Sequence, residues 1–157
     1  MASPIHVELT RDLNHTRDEI ADGILTPAAW SSFKGAGPIP GIKSASFSKR
    51  TPEVVGTVID VENQDGSRHR ETIVTWTPGE IGLRMDGFSG PLAALASHFD
   101  ERMRFTPLGE GRVRVVRSFD LHPRSMFGTV ALKMIGPLLL RAAAAHFDEI
   151  EAAPKAG

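Results

Sequence analysis

The sequence specifies an α+β domain, a curved antiparallel sheet of about seven strands wrapped around one long C-terminal helix. Three observations point to it. The run from Ser125 to Ala152 is helix-forming and apolar on most of its circumference as far as Leu140, with Gly136-Pro137 in its middle. Upstream, apolar and polar residues alternate with period two and no other convincing long helix intervenes. Turn signals, Asp65-Gly66 and Pro78-Gly79 above all, cut that alternation into hairpins. A helix so apolar must be wrapped, and the sheet is the only available wrapper. The space between the two suits a small molecule.

Each element follows from local chemistry. Ile5, Val7 and Leu9 alternate with His6, Glu8 and Thr10, a half-buried strand. Asn14 or Thr16 then caps a short helix from Arg17 to Leu25, with Asp18 and Glu19 in the first turn, where the macrodipole favours acids. Thr26-Pro27 opens a second short helical piece carrying Trp30 and Phe33. Lys34 to Ile42, KGAGPIPGI, is a rigid Gly/Pro loop. Strands are expected at Ser44–Lys49, Val55–Asn63, Arg68–Thr77, Ile81–Phe88 and His98–Phe105. Gly109-Glu110-Gly111 turns the chain into a last strand, Arg112 to Leu121; Pro123 ends it and Ser125 caps the long helix. Residues 1–152 read as one domain and 153–157 as a frayed tail.

Composition excludes several functions. Eighteen Lys and Arg against 19 Asp and Glu, a formal charge of −1, give no nucleic-acid surface. The chain has no cysteine, so disulfides and thiolate chemistry are out, and a cytoplasmic location is expected. Glu8, Arg11 and Asp12 stand where a signal peptide needs its apolar core. Lys133 and Gly136-Pro137 interrupt the most apolar stretch, so no membrane span is expected. The six histidines show no ligand spacing such as HxxxH; no metal and no cofactor are expected. Ser89 in GFSGP lacks the strand–turn–helix context of a nucleophile elbow, and no phosphate loop is present.

Strand phase selects the concave face. It carries Ile59 and Val61, Ile73, Leu83 and Met85, Met103 and Phe105, and Val113, Val115 and Phe119. The same phase brings in Glu71, Glu101 and Arg117, with His69 at the strand edge. Ionisable groups enter an apolar interior only when paired, so these four form either a polar cluster for a ligand or, if a bulge flips a strand, a solvated face. Trp30 and Phe33 are either core or the lip of the pocket. On the long helix Phe127, Val130 or Ala131, Met134, Leu138 and Arg141-Ala142 share the face expected to meet the sheet, with a kink at Gly136-Pro137. Val74 and Trp76 take the opposite phase from Ile73, which marks a homodimer contact as readily as a structural plug. Arg84 and Asp86 read as a solvated pair.

This order of elements resembles the START/SRPBCC superfamily, the helix-grip fold shared with birch pollen allergen, and within it the polyketide cyclase/dehydrase-like group. The resemblance rests on Gly37-Pro38-Ile39-Pro40-Gly41-Ile42, on Asn63-Gln64-Asp65-Gly66-Ser67 running into His69 and Glu71, on Gly87-Phe88-Ser89-Gly90-Pro91-Leu92, and on Phe119 with Pro123-Arg124-Ser125. It implies a cyclase, aromatase or dehydratase acting on a hydrophobic polycarbonyl substrate. Glu71 would then be the base and Arg117 its oxyanion partner, assisted by Glu101 or His69. The alternative is a non-catalytic carrier or sensor of a lipid, quinone or similar apolar ligand. Cyclases of this group often place tyrosines in the cavity, and this chain has none.

Overall fold

The computed structural model describes residues 3–155. Strand β1, Ile5–Leu13, opens the chain, followed by helix α1, Arg17–Ile24, and a 3-10 turn, Pro27–Ser32. Thr16 is the cap of α1: its hydroxyl accepts from the Glu19 N–H at 3.2 Å and the Glu19 carboxylate accepts from the Thr16 N–H at 3.2 Å. This reciprocal pair satisfies two donors that the first helical turn leaves free. Strands β2 (Ile42–Lys49), β3 (Val58–Asn63), β4 (Arg68–Thr77) and β5 (Glu80–Asp86) follow. The short helix α2 (Leu92–Leu95), strands β6 (Ala96–Gly109) and β7 (Arg112–Pro123), and helix α3 (Met126–Ala152) complete the chain. All seven strands form one antiparallel sheet in the order β1-β7-β6-β5-β4-β3-β2, curved around α3.

Three expectations about strands need correction. The third strand begins at Val58, not Val55. Thr51 to Gly56 instead folds into a turn in which Val54 has φ 73°, closed by the Gly56 N–H on the Ile73 carbonyl at 2.8 Å. Trp76 does not lie on the outer face. The β4–β5 register slips between Ile73 and Thr75, so Val74 is a bulge residue and Trp76 turns back against the core, under the Arg17 guanidinium at 5.0 Å. That removes the reason for expecting a dimer contact there. Arg84 and Asp86 also do not pair with one another: Arg84 meets Asp100 at 2.9 Å, and Asp86 faces Arg70 at 3.5 Å.

The face that α3 presents differs as well. Gly128, Leu132, Gly136, Leu139, Ala142, Ala143 and Phe147 are buried, whereas Phe127, Val130 and Met134 are exposed at 76%, 58% and 72%. The buried stripe is built largely from small residues, which let the helix approach the sheet closely. Reading the face from the largest apolar residues turns the helix by about one residue. Only Ala142 of the expected contacts is buried outright, and Leu138 is half-buried. By length and composition α3 could cross a bilayer; here it is the core helix of the sheet.

At Gly128 a Cβ would sit 2.4 Å from the Leu95 carbonyl oxygen of α2. Backbone cannot yield as a flexible side chain can. Gly128→Ala should therefore lower stability by about 1–3 kcal/mol, read as an earlier urea midpoint. An unmoved midpoint would contradict this contact.

Beyond α3 the Lys155 ammonium donates to Asn14 Oδ1 at 3.2 Å and to the Gly111 carbonyl at 3.5 Å. Residues 156 and 157 lie outside the described residues.

Candidate functional site

A cavity of about 870 Å³ lies between the concave face of the sheet and α3. Alternation along β5, β6 and β7 supplies its floor, Leu83, Met85, Met103 and Phe119. Helix α3 supplies the roof through Ile135, Leu139, His146 and Ile150, which recur at helical spacing. Trp30 and Phe33 form part of the rim with the Gly/Pro loop. Trp30 is fixed by its indole N–H, which donates to the Ile24 carbonyl at 3.0 Å. The loop needs its glycine at Gly35. With φ 75°, any Cβ there would fall 2.2 Å from the Ile39 carbonyl oxygen.

Not every expected wall residue reaches the cavity. Ile59, Ile73 and Val115 are fully buried in a packed core with Leu13 and Phe147, away from the open space. Met134 points to solvent and Leu138 stands off the wall, both consequences of the helix rotation. Residues that strand reading could not supply include Phe88, tilted against Phe99 at 4.8 Å, and Ile39 of the loop.

Glu71, Glu101, Arg117 and His69 all border the cavity, the first three only 5% exposed. Glu71 and Arg117 both face the cavity, but each takes a different hydrogen-bond partner. Arg117 Nε donates to Glu101 Oε2 at 2.6 Å, and His69 Nε2 meets Glu71 Oε2 at 2.9 Å. The register explains the first pair. Glu101 stands opposite Phe119 and Met103 opposite Arg117, so the two charges are diagonal neighbours on one face. His69 and Glu71 are two residues apart on β4 and share a face, and Asn63 Nδ2 bonds His69 Nδ1 at 3.3 Å.

The residue that the sequence reading missed is His146. Its Nδ1 accepts from Arg117 Nη1 at 3.0 Å, which leaves Nε2 to donate to Ser32 Oγ at 3.2 Å. The ring also meets Phe33 edge-on at 5.4 Å. Burial, and then the Arg117 charge, hold this imidazole down to about 3, so it is neutral at physiological pH. Glu101 is pushed the other way. Burial raises it most, the Arg117 guanidinium draws it back, and the Glu71 carboxylate adds to the rise. The polar wall thus pairs a fixed guanidinium with a raised carboxyl, beside a separate imidazole–carboxylate couple. Signals for His146 existed in its spacing of seven from Leu139 and four from Ala142, once the helix face is set correctly.

An apolar fluorescent probe should bind this cavity. Met85→Trp, on the wall, should block it with the far-UV spectrum unchanged, whereas Met134→Trp, outside, should not. Equal probe affinity in the two variants would contradict the assigned walls.

Solved structures share the fold. An aromatase/cyclase from Streptomyces superposes with TM-score 0.64 at 14% identity, over 94% of this chain and 91% of that one. Norcoclaurine synthase from Thalictrum flavum gives 0.65 at 15%, over 98% and 99%. A START superfamily protein from Mycobacterium smegmatis gives 0.63 at 12%, over 92% and 98%. The fold is the helix grip that these structures share. No protein-family model and no curated protein matches the sequence. In this chain the space between sheet and helix is an open, predominantly apolar cavity bordered on one side by the polar wall.

Proposed function

We propose that this helix-grip protein is a cyclase, aromatase or dehydratase acting on a hydrophobic polycarbonyl molecule. The observation that carries the reading is the polar wall, with Glu71 bonded to His69 and Arg117 bonded to Glu101, facing a predominantly apolar cavity of about 870 Å³. That volume suits a drug-sized ligand. The walls would fold a flexible chain so that its reacting carbons meet, which removes much of the entropic barrier. Glu71 takes a proton from an acidic carbon between two carbonyls and later returns it to the product, and His69, whose Nε2–H donates to the same carboxylate, orients it. Arg117, oriented by Glu101 and His146, stabilises the developing enolate oxygen. Two of the structural neighbours are described as aromatase/cyclases, which supports the reading at the level of fold.

The test is turnover of a poly-β-ketone thioester to an aromatic or dehydrated product. Glu71→Gln keeps the shape and removes the base, so it should slow turnover about 100-fold with little effect on binding. Full activity in that variant rules out the acid–base role.

The predominance of apolar lining favours a second reading, a carrier of a lipid or quinone whose head group is held by the polar wall. Native mass spectrometry would support it by recovering such a ligand unchanged where no polyketone is turned over.

A further inference from the structure

The outer face of the sheet carries a second cluster, remote from the cavity in the sense of strand phase. Phe99, Glu101, Phe119 and Leu121 face inward, so His98, Asp100 and His122 face out. Register makes the cluster: His98 on β6 stands directly opposite His122 on β7, and Asp100 lies two residues along β6. The two imidazoles stack at 4.0 Å between ring centres. Asp100 Oδ2 is 3.2 Å from His122 Nε2 and 3.5 Å from His98 Nε2. The three ligand atoms all lie within 4.8 Å of one another.

We propose that His98, Asp100 and His122 form a binding site for a divalent transition-metal ion of the zinc class. Two imidazole nitrogens and one carboxylate oxygen are the donor set that Zn²⁺ takes, at about 2.0–2.2 Å from the ion. Atoms already this close converge on one ion with small side-chain rotations. The supporting contacts are those of a ligand shell. Ser97 Oγ bonds His98 Nδ1 at 2.9 Å and so leaves Nε2 to face the ion. Arg84 Nε donates to Asp100 Oδ1 at 2.9 Å and Arg84 Nη2 reaches Oδ2 at 3.4 Å, fixing the carboxylate with Oδ2 on the side of the histidines. Imidazole donors select Zn²⁺ over Mg²⁺ and Ca²⁺, which prefer all-oxygen cages. Local spacing conceals the site, because its two histidines come from different strands and meet only through pairing.

Calorimetry of Zn²⁺ into the untagged, metal-free protein tests this, with Co²⁺ absorption as a second readout. One equivalent should bind in the micromolar range. His98→Asn and His122→Asn should each weaken binding at least about tenfold, and Asp100→Asn should do so with the shape of the site preserved. His6→Gln, on the neighbouring strand and engaged by Asp120 at 2.7 Å, should leave binding unchanged. Far-UV spectra confirm that each variant is folded, and a variant that fails to fold is replaced by broadening of the His98 and His122 ring signals by Co²⁺ in the unaltered chain. No Zn²⁺ uptake at millimolar metal, equal affinity for Mg²⁺, or binding indifferent to both histidine substitutions would overturn the assignment.

Discussion

Replacing Arg117 by methionine is expected to cost the fold about 3–5 kcal/mol near neutral pH, because it strips a buried carboxyl of its counter-ion. Glu101 is 5% exposed and bonded to Arg117 at 2.6 Å. Without the guanidinium, burial and the Glu71 carboxylate push it further up, against only the smaller opposing effect of His69. The folded variant then holds a proton that the unfolded chain has released. Its stability must therefore fall as pH rises out of the ordinary carboxylate range, and acidification must return part of the loss. Urea denaturation at two pH values measures both effects. Adding Glu101→Gln to Arg117→Met should recover much of the stability, since no charge is then left buried. A loss that is independent of pH, or a double variant no better than the single, would remove the ion pair from the account of stability.

His146 supplies the second large effect, with the opposite dependence on pH. Its imidazole is held down to about 3 in the fold against an ordinary 6.5. The unfolded chain therefore takes up a proton near 6.5 that the native ring refuses until far lower pH. Stability is full above that range and drains away on acidification, by roughly 5 kcal/mol across the whole interval. His146→Gln, which keeps a polar group between Arg117 and Ser32, should flatten the acid limb of the stability profile even if it lowers the plateau. Nuclear magnetic resonance should show the native His146 ring unprotonated at pH 5. A ring titrating near 6.5 would mean that the site is more open to water than its contacts indicate.

The sheet was legible in the sequence because alternation and turn chemistry agree over most of its length. Asp65-Gly66 fixes the β3–β4 hairpin and Gly109-Glu110-Gly111 the β6–β7 hairpin. With those turns placed, Glu71, Glu101 and Arg117 fall on the inward phase. What alternation cannot give is the diagonal step by which Arg117 chooses Glu101, since that depends on register between strands. Trp76 was lost to one bulge at Val74, which reverses every side chain after it. The face of α3 was lost for a different reason. Its contact stripe is made of Gly128, Gly136, Ala142 and Ala143, whose value lies in their smallness, while Phe127 and Met134 remain in solvent. His146 went with it, because it lies on the same misjudged face.

The pairing of β1 with β7 has a consequence for how the molecule comes to be folded. Ile5 meets Leu121 and Leu13 meets Val113, so the first strand made is joined to the last. The meander from β2 to β7 can assemble hairpin by hairpin from neighbours in sequence, but β1 has no partner until β7 exists. Helix α3, which packs on β1 and β7, is made later still. Contacts of such long range are slow to form, because the loop must close before they reward the chain. On the ribosome β1 therefore waits as an unpaired strand until β7 has emerged. The alternating His6, Glu8, Thr10 and Asp12 give that waiting strand a polar side that discourages pairing with other chains. Enclosure of the cavity falls at the end of this sequence, so a hydrophobic guest present at that moment can be folded in rather than threaded through the rim.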